Sequence, residues 1–248
     1  MIKAILKQCD ISCKAKPFFC DACVTGKAHQ FPFSLSTTVY HHPLELIYID
    51  IWGPSAECAN NGASYYISFL DSYSKYTWIY LLNAKSQALA AFECFKLFYE
   101  NQTGFKIKTI QTDNAKEFVV FNTFLLKHGI QHRFICPHTH EQNGAIERKH
   151  RHITDMGLSM LVVASLPVKF WAEAFITATH IINVLPSTVL KGQTPYEHLL
   201  KTKPNYTKFR SFGCACYPIL RPYNKLKLDF RSACCLFLGY NLHNKGYI

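Results

Sequence analysis

The sequence predicts an α/β fold, a mixed sheet flanked by helices. Three strongly apolar, β-rich runs come first, and after them short β-rich runs alternate with segments whose apolar residues recur at helical spacing. With 248 residues and 49% hydrophobic content, the chain can bury a sizeable core.

The first run, LELIYIDIWGP, ends at Gly53 and Pro54 and carries Asp50 near its end. SYYISFLD and YTWIYLLN follow as a hairpin turning through Ser72 to Lys75, where Asp71 has the place of a turn-forming residue. SQALAAFECFKLFYENQTG reads as a helix capped by Ser86 and stopped by Gly104. KIKTIQT is the next strand and delivers Asp113 at its end. NAKEFVVFNTFLLKHG is a turn and a helix closed by Gly129, on which Glu117 reads as a surface residue. QHRFIC is a short strand, and a polar loop with Pro137 leads from it to Gly144. The amphipathic helix AIERKHRHITDMGLSMLVVAS then carries Glu147 in its first turn, with His150 and Arg151 on the same face at i+3 and i+4. After Pro167 another helix places an aromatic and aliphatic stripe in the core, and QTPYEHLL is a short helix with Thr194 before Pro195. The last segment, FGCACYPILRP to ACCLFLGYN, has strand-like alternation, and its cysteines read as buried strand thiols.

Composition narrows the function. A net charge of +11 points to a polyanionic partner, most simply nucleic acid. Eleven scattered cysteines argue against a secreted disulfide framework and for reduced thiols inside the cell. MIKAILKQCD lacks the apolar core of a signal peptide, and no apolar run reaches the ~18 residues of a membrane span. No membrane partner is expected.

Three acids stand out. Asp50, Asp113 and Glu147 are presented from different elements, and basic residues crowd the last of them. Converging carboxylates repel and raise one another's pKa, so a fold that gathers them does so for cations. Mg2+ or Mn2+ suits such an oxygen site completed by substrate phosphate. Two ions about 3.5–4 Å apart can activate the attacking oxygen and stabilise the leaving one. Lys149 and Arg151, with His150, lie within one turn of Glu147, where cations can hold the DNA phosphates being processed.

These residues resemble the integrase of Ty1/copia-type LTR retrotransposons. YIDIWGP, QTDNAKEF and HTHEQNGAIERKHRHI match the family's D,D,E motif in order, and the likeness continues through FWAEAF, INVLPS, TPYEHLL, FGCACYP and FLGY. The resemblance implies a ribonuclease H-like core over residues 40–200. Before it, residues 1–35 would be a truncated zinc-finger remnant and linker, and after it residues 208–248 the start of a small SH3-like β domain. Cys20 and Cys23 have the two-residue gap of zinc ligands, but the His pair that precedes them in the family's HHCC finger has no counterpart here. Zn2+ is therefore assigned to the intact parent protein, with Cys20 and Cys23 a partial site. Asp50, Asp113 and Glu147 would be both catalytic and metal-binding, and Asn143 joins Lys149, His150 and Arg151 in contacting DNA.

The function so implied is metal-dependent polynucleotidyl transfer, processing the element's DNA ends and joining them to host DNA, by a homo-oligomer in the nucleus. The alternative is a catalytically inactive nucleic-acid-binding remnant. Two departures from the family bear on that choice. Ala115 stands where glycine is usual and would strain a turn that needs positive φ, and the 33 residues between Asp113 and Glu147 are fewer than in the commonest form.

Overall fold

The computed structural model describes residues 7–10, 25–27, 38–136, 140–220, 230–240 and 246–248. The chain divides into two units, Met1–Thr38 and Val39–Ile248, and the second holds every element named here. Cys20 and Cys23 lie outside the described residues.

Five strands form one mixed sheet in the order β3-β2-β1-β4-β5. They are β1 (Leu46–Trp52), β2 (Tyr65–Asp71), β3 (Thr77–Leu82), β4 (Thr109–Thr112) and β5 (Gln131–Phe134). β1, β2 and β3 pair antiparallel, whereas β4 joins β1 in parallel and β5 joins β4 in parallel. The change of direction follows from the connections. Ser72–Tyr76 is short enough for a hairpin, but the route from β3 to β4 passes through α1 (Ala88–Thr103), the kind of crossover a parallel partner requires.

Both faces of the sheet are covered. Ile47, Ile49, Ile67 and Phe69 point into one core with Phe92 and Phe95 of α1, Phe118 of α2 (Lys116–Val119) and Phe121 of α3 (Phe121–Lys127). Tyr66 and Ile79 point into a second core, where Trp52 also packs. It contains Ile153 and Leu161 of α4 (Gly144–Val163) and Trp171 and Phe175 of α5 (Trp171–Val184). Burial on two sides explains why β2 is mostly apolar, with even its Ser68 and Asp71 buried, instead of alternating with exposed polar residues.

Local signals account for most boundaries. Thr194 caps α6 (Pro195–Leu200), its hydroxyl accepting the Glu197 N–H at 2.9 Å, and Gly104 ends α1 in the left-handed conformation at φ 74°. Asp71 does the turn work expected of it. Its buried carboxylate accepts the N–H of Leu44 at 3.0 Å and of Ser74 at 2.8 Å, tying the hairpin to the start of β1. Ser86 does not cap the first helix. A 3-10 turn, Lys85–Gln87, precedes α1; the Gln87 amide oxygen accepts from the N–H groups of Asn83 at 2.8 Å and Ala84 at 3.3 Å, ahead of that turn, and no side chain caps the start of α1.

Beyond α6, β6 (Ala215–Cys216) and β7 (Cys235–Leu236) form a two-stranded ribbon. It is fastened to α5 by Thr177, whose hydroxyl donates to the Leu238 carbonyl at 3.2 Å. Cys216 and Cys235 face one another across the strands, but no thiol of the four here is buried as expected.

Helices α4 and α5 approach closely at Gly157, where a Cβ would meet a ring carbon of buried Phe175 at 2.3 Å. Gly157→Ala should therefore lower unfolding free energy by about 1–3 kcal/mol through overpacking. Urea denaturation measures it, and an unchanged midpoint would mean that the ring has room to move.

Candidate active site

Backbone pairing brings the first two acids together. β1 and β4 run parallel with Tyr48 opposite Gln111, and Asp50 and Asp113 each follow that pair by two residues, so they stand abreast at adjacent strand ends. Alternation along IYIDIW settles the side: the isoleucines enter the α1 core, leaving Tyr48, Asp50 and Trp52 toward α4.

Both carboxylates are half-buried. The Asp113 pKa is raised, first by burial and then by the negative charges of Asp50 and Glu117, while the Ala115 N–H bonded to Oδ1 at 3.1 Å and the Lys85 ammonium act the other way. Glu117 is thus beside Asp113 instead of on a remote helix face. It forms an ion pair with Lys85 at 2.7 Å that lowers its own pKa. Ala115 is extended, at φ −64° and ψ 145°, so the turn after Asp113 needs no glycine and carries no strain there.

Asp50 is held from three directions. Oδ1 accepts the Ile51 N–H at 2.8 Å, and Ser68 of β2, the register partner of Asp50, donates its hydroxyl to the Asp50 carbonyl at 3.4 Å. Oδ2 lies 3.4 Å from His150 Nε2 of α4.

The α4 residues divide. His150, expected on the DNA-facing surface, is buried at 8% exposure, with Nδ1 2.8 Å from the Tyr66 hydroxyl and Nε2 3.1 Å from Ser68 Oγ. Asn143 is likewise buried, at 3% exposure, with Oδ1 unpartnered among the described residues. Lys149 is half-buried, and burial together with the Lys75 ammonium lowers its pKa to about 8. Arg151 is exposed.

Glu147 is exposed in the first turn of α4. Among the described residues no three His, Cys, Asp or Glu side chains stand close enough to share a cation, so the three acids do not form a closed cluster. The reason lies in their supports: the two aspartates are fixed by strand pairing, whereas the α4 side chain that reaches Asp50 is His150, one turn further on. The aspartate pair by itself fits a hard divalent ion, being an oxygen donor set of mutually repelling carboxylates, and Mg2+ is commonly held by one or two carboxylates plus phosphate.

Several supporting residues were not singled out in the sequence. Gln142 ties the start of α4 to the sheet, its carbonyl accepting from Gln111 Nε2 at 3.0 Å and its amide oxygen from the Cys136 N–H at 2.9 Å. His132 lies 2.9 Å from Thr112 Oγ1, beside Asp113, and 2.7 Å from Asn122 Oδ1, and burial lowers its pKa to about 4. The alternation of YYISFLD puts Tyr66 and Ser68 on one face; only the pairing of β1 with β2 shows that this face is the one bearing Asp50.

The two aspartates lie half-buried at the strand ends, and Glu147 is exposed. A concavity of about 360 Å³ lies elsewhere, along the β3 edge between α1 and α5, with Trp78, Phe98 and His180 in its lining.

Residues 40–140 match the family described as integrase core domain, and residues 214–248 that described as retroviral polymerase SH3-like domain. Over 229 residues, 92% of this chain, the sequence is 45% identical to the retrovirus-related Pol polyprotein from transposon RE2 of Arabidopsis thaliana, covering 16% of that relative. It is 34% identical over 230 residues to the Pol polyprotein from transposon TNT 1-94 of Nicotiana tabacum, covering 92% of this chain and 17% of the relative. The chain therefore spans about a sixth of the length of these curated relatives. Among solved structures, a chain of a simian T-cell lymphotropic virus intasome in complex with PP2A regulatory subunit B56 gamma aligns with a TM-score of 0.57 and 18% identity, covering 88% of this chain and 77% of that one. That likeness concerns the fold, which is ribonuclease H-like. On its sequence and its two matched domains, the chain belongs to the Ty1/copia-type retrotransposon Pol polyproteins and corresponds to their integrase region.

Proposed function

We propose that this chain is the catalytic integrase segment of a retrotransposon Pol polyprotein, a metal-dependent polynucleotidyl transferase that processes the element's DNA ends and joins them to host DNA. The observation that carries this reading is the pair of aspartates standing abreast at adjacent parallel strand ends, beside the start of a helix rich in basic residues. Family membership supports it.

Asp50 and Asp113 would hold Mg2+ or Mn2+, and Glu147 would complete the site by a movement of the α4 start toward them. When bound, the cations supply positive charge to the attacking and leaving oxygens of the phosphodiester exchange. Arg151 would hold backbone phosphate. Lys149 contributes less, because its ammonium is partly withdrawn from water and crowded by Lys75. Acting on chromosomal DNA places the protein in the nucleus. The intasome neighbour is by its name a nucleoprotein assembly, and we propose a homo-oligomer on paired DNA ends here too.

The absence of a three-acid cluster among the described residues favours a second reading, a catalytically inactive DNA-binding remnant. Incubation with labelled element-end DNA and Mn2+ separates the two. The transferase gives cation-dependent nicking and joining, whereas the remnant gives only salt-sensitive binding.

Asp113→Asn should abolish strand transfer while leaving DNA affinity within about threefold, as read by gel assay and fluorescence anisotropy; equal transfer activity would refute the assignment. The same substitution should raise the melting temperature of the cation-free protein at neutral pH. A carboxylate whose folded pKa is raised destabilises once ionised, so the gain should fade as pH falls through that pKa. Arg151→Ala should reduce the slope of log affinity against log salt by about one, and Lys149→Ala should change it less. Equal slopes in the two variants would overturn this ranking.

A further inference from the structure

His150 is a histidine inside the fold, and its surroundings fix its protonation pattern. Ser68 donates its one hydroxyl hydrogen to the Asp50 carbonyl at 3.4 Å, so its oxygen accepts from His150 Nε2 at 3.1 Å. Nε2 then carries hydrogen, as it must to be attracted to Asp50 Oδ2 at 3.4 Å. At the other side of the ring the buried Tyr66 hydroxyl, which keeps its proton because burial disfavours the phenolate, lies 2.8 Å from Nδ1 and donates to it. The ring also packs 5.2 Å from that of Tyr66, within the cluster formed by Tyr66, Trp52 and Phe175. The contacts made by the His150 ring itself link α4 to β1 and β2.

We infer that His150 is a positioning residue, which, as the Nε2–H tautomer set by Tyr66, fixes the Asp50 carboxylate in the orientation that takes a divalent cation together with Asp113. The inference rests on the reading of Asp50 and Asp113 as the cation-holding pair and adds the residues that aim the first of them. Oδ1 is already committed to the Ile51 N–H, so the contact at Oδ2 removes the remaining freedom of the carboxylate to turn. Groups that orient a ligand in this way usually change cation affinity by about 10–100-fold when removed.

The test is Mn2+ binding to the full chain, measured by electron paramagnetic resonance of free Mn2+, with circular dichroism melting to verify folding. His150→Leu should weaken Mn2+ binding at least tenfold. His150→Gln should restore it to within about threefold, since its amide can donate to Asp50 and accept from Tyr66. Tyr66→Phe, which keeps the ring and loses only the hydroxyl, should weaken binding severalfold and serves if His150→Leu does not fold. Nitrogen-15 NMR of the unmodified protein should show hydrogen on Nε2 and a hydrogen bond accepted at Nδ1. Wild-type Mn2+ affinity in folded His150→Leu or in Tyr66→Phe, failure of His150→Gln to restore binding, or a hydrogen on Nδ1 would overturn the inference. Asp50→Asn is the control: if it too binds Mn2+ like the wild type, the cation-site reading itself has failed, and if it alone loses binding, only the role of His150 has.

Discussion

The parallel pairing of β1 with β4 is the constraint on which the rest of the site depends. Asp50 and Asp113 lie far apart along the chain, and what makes them neighbours is a short run of backbone hydrogen bonds between two strands that progress in the same direction. A slip of one residue in either strand would turn its acid to the α1 side. The slip is resisted by Ile47 and Ile49, each fully buried on that side, and by Tyr66 and Phe69 of β2, buried on opposite faces of the adjoining strand. Apolar burial thus holds two like charges close together against their repulsion, and the pKa of Asp113 is raised first by burial itself and then by the Asp50 charge.

Helix α4 adds a second constraint from above. Its buried positions Ile146, Ile153, Gly157 and Leu161 set which face meets the sheet, and Gly157 lets Phe175 come within the space of an absent side chain. That rotation carries His150 inward and leaves Glu147 and Arg151 exposed. The basic run after Glu147 therefore splits by position on the helix: His150 is used inside the fold, Lys149 is half-withdrawn, and Arg148 and Arg151 face solvent.

Much of the architecture was legible in the sequence because it rests on local signals. The hairpin at Ser72–Lys75, the crossover helix ended by Gly104, the cap at Thr194 and the turn-forming role of Asp71 all follow from residue type and spacing. The misreadings share a different origin. Ser86 does not cap α1 because it lies inside a 3-10 turn that precedes the helix. Ala115 proved unstrained because the turn after Asp113 is extended and closed by that carboxylate. The ribbon thiols are not buried because no second layer covers β6 and β7 among the described residues.

By itself the sequence determined the α/β class, the order of elements, a basic chain suited to a polyanion, and which acids could bear chemistry, since these depend on periodicity, charge and motif order. Tertiary structure alone decided how those acids meet. Strand register joined Asp50 to Asp113, helix rotation put His150 instead of Glu147 against Asp50, and packing brought Glu117 and Lys85 beside Asp113. The physical reason is one of range: a residue's neighbours along the chain fix its local conformation, but the charge it feels and the water it loses depend on segments distant in sequence that only the folded core brings near.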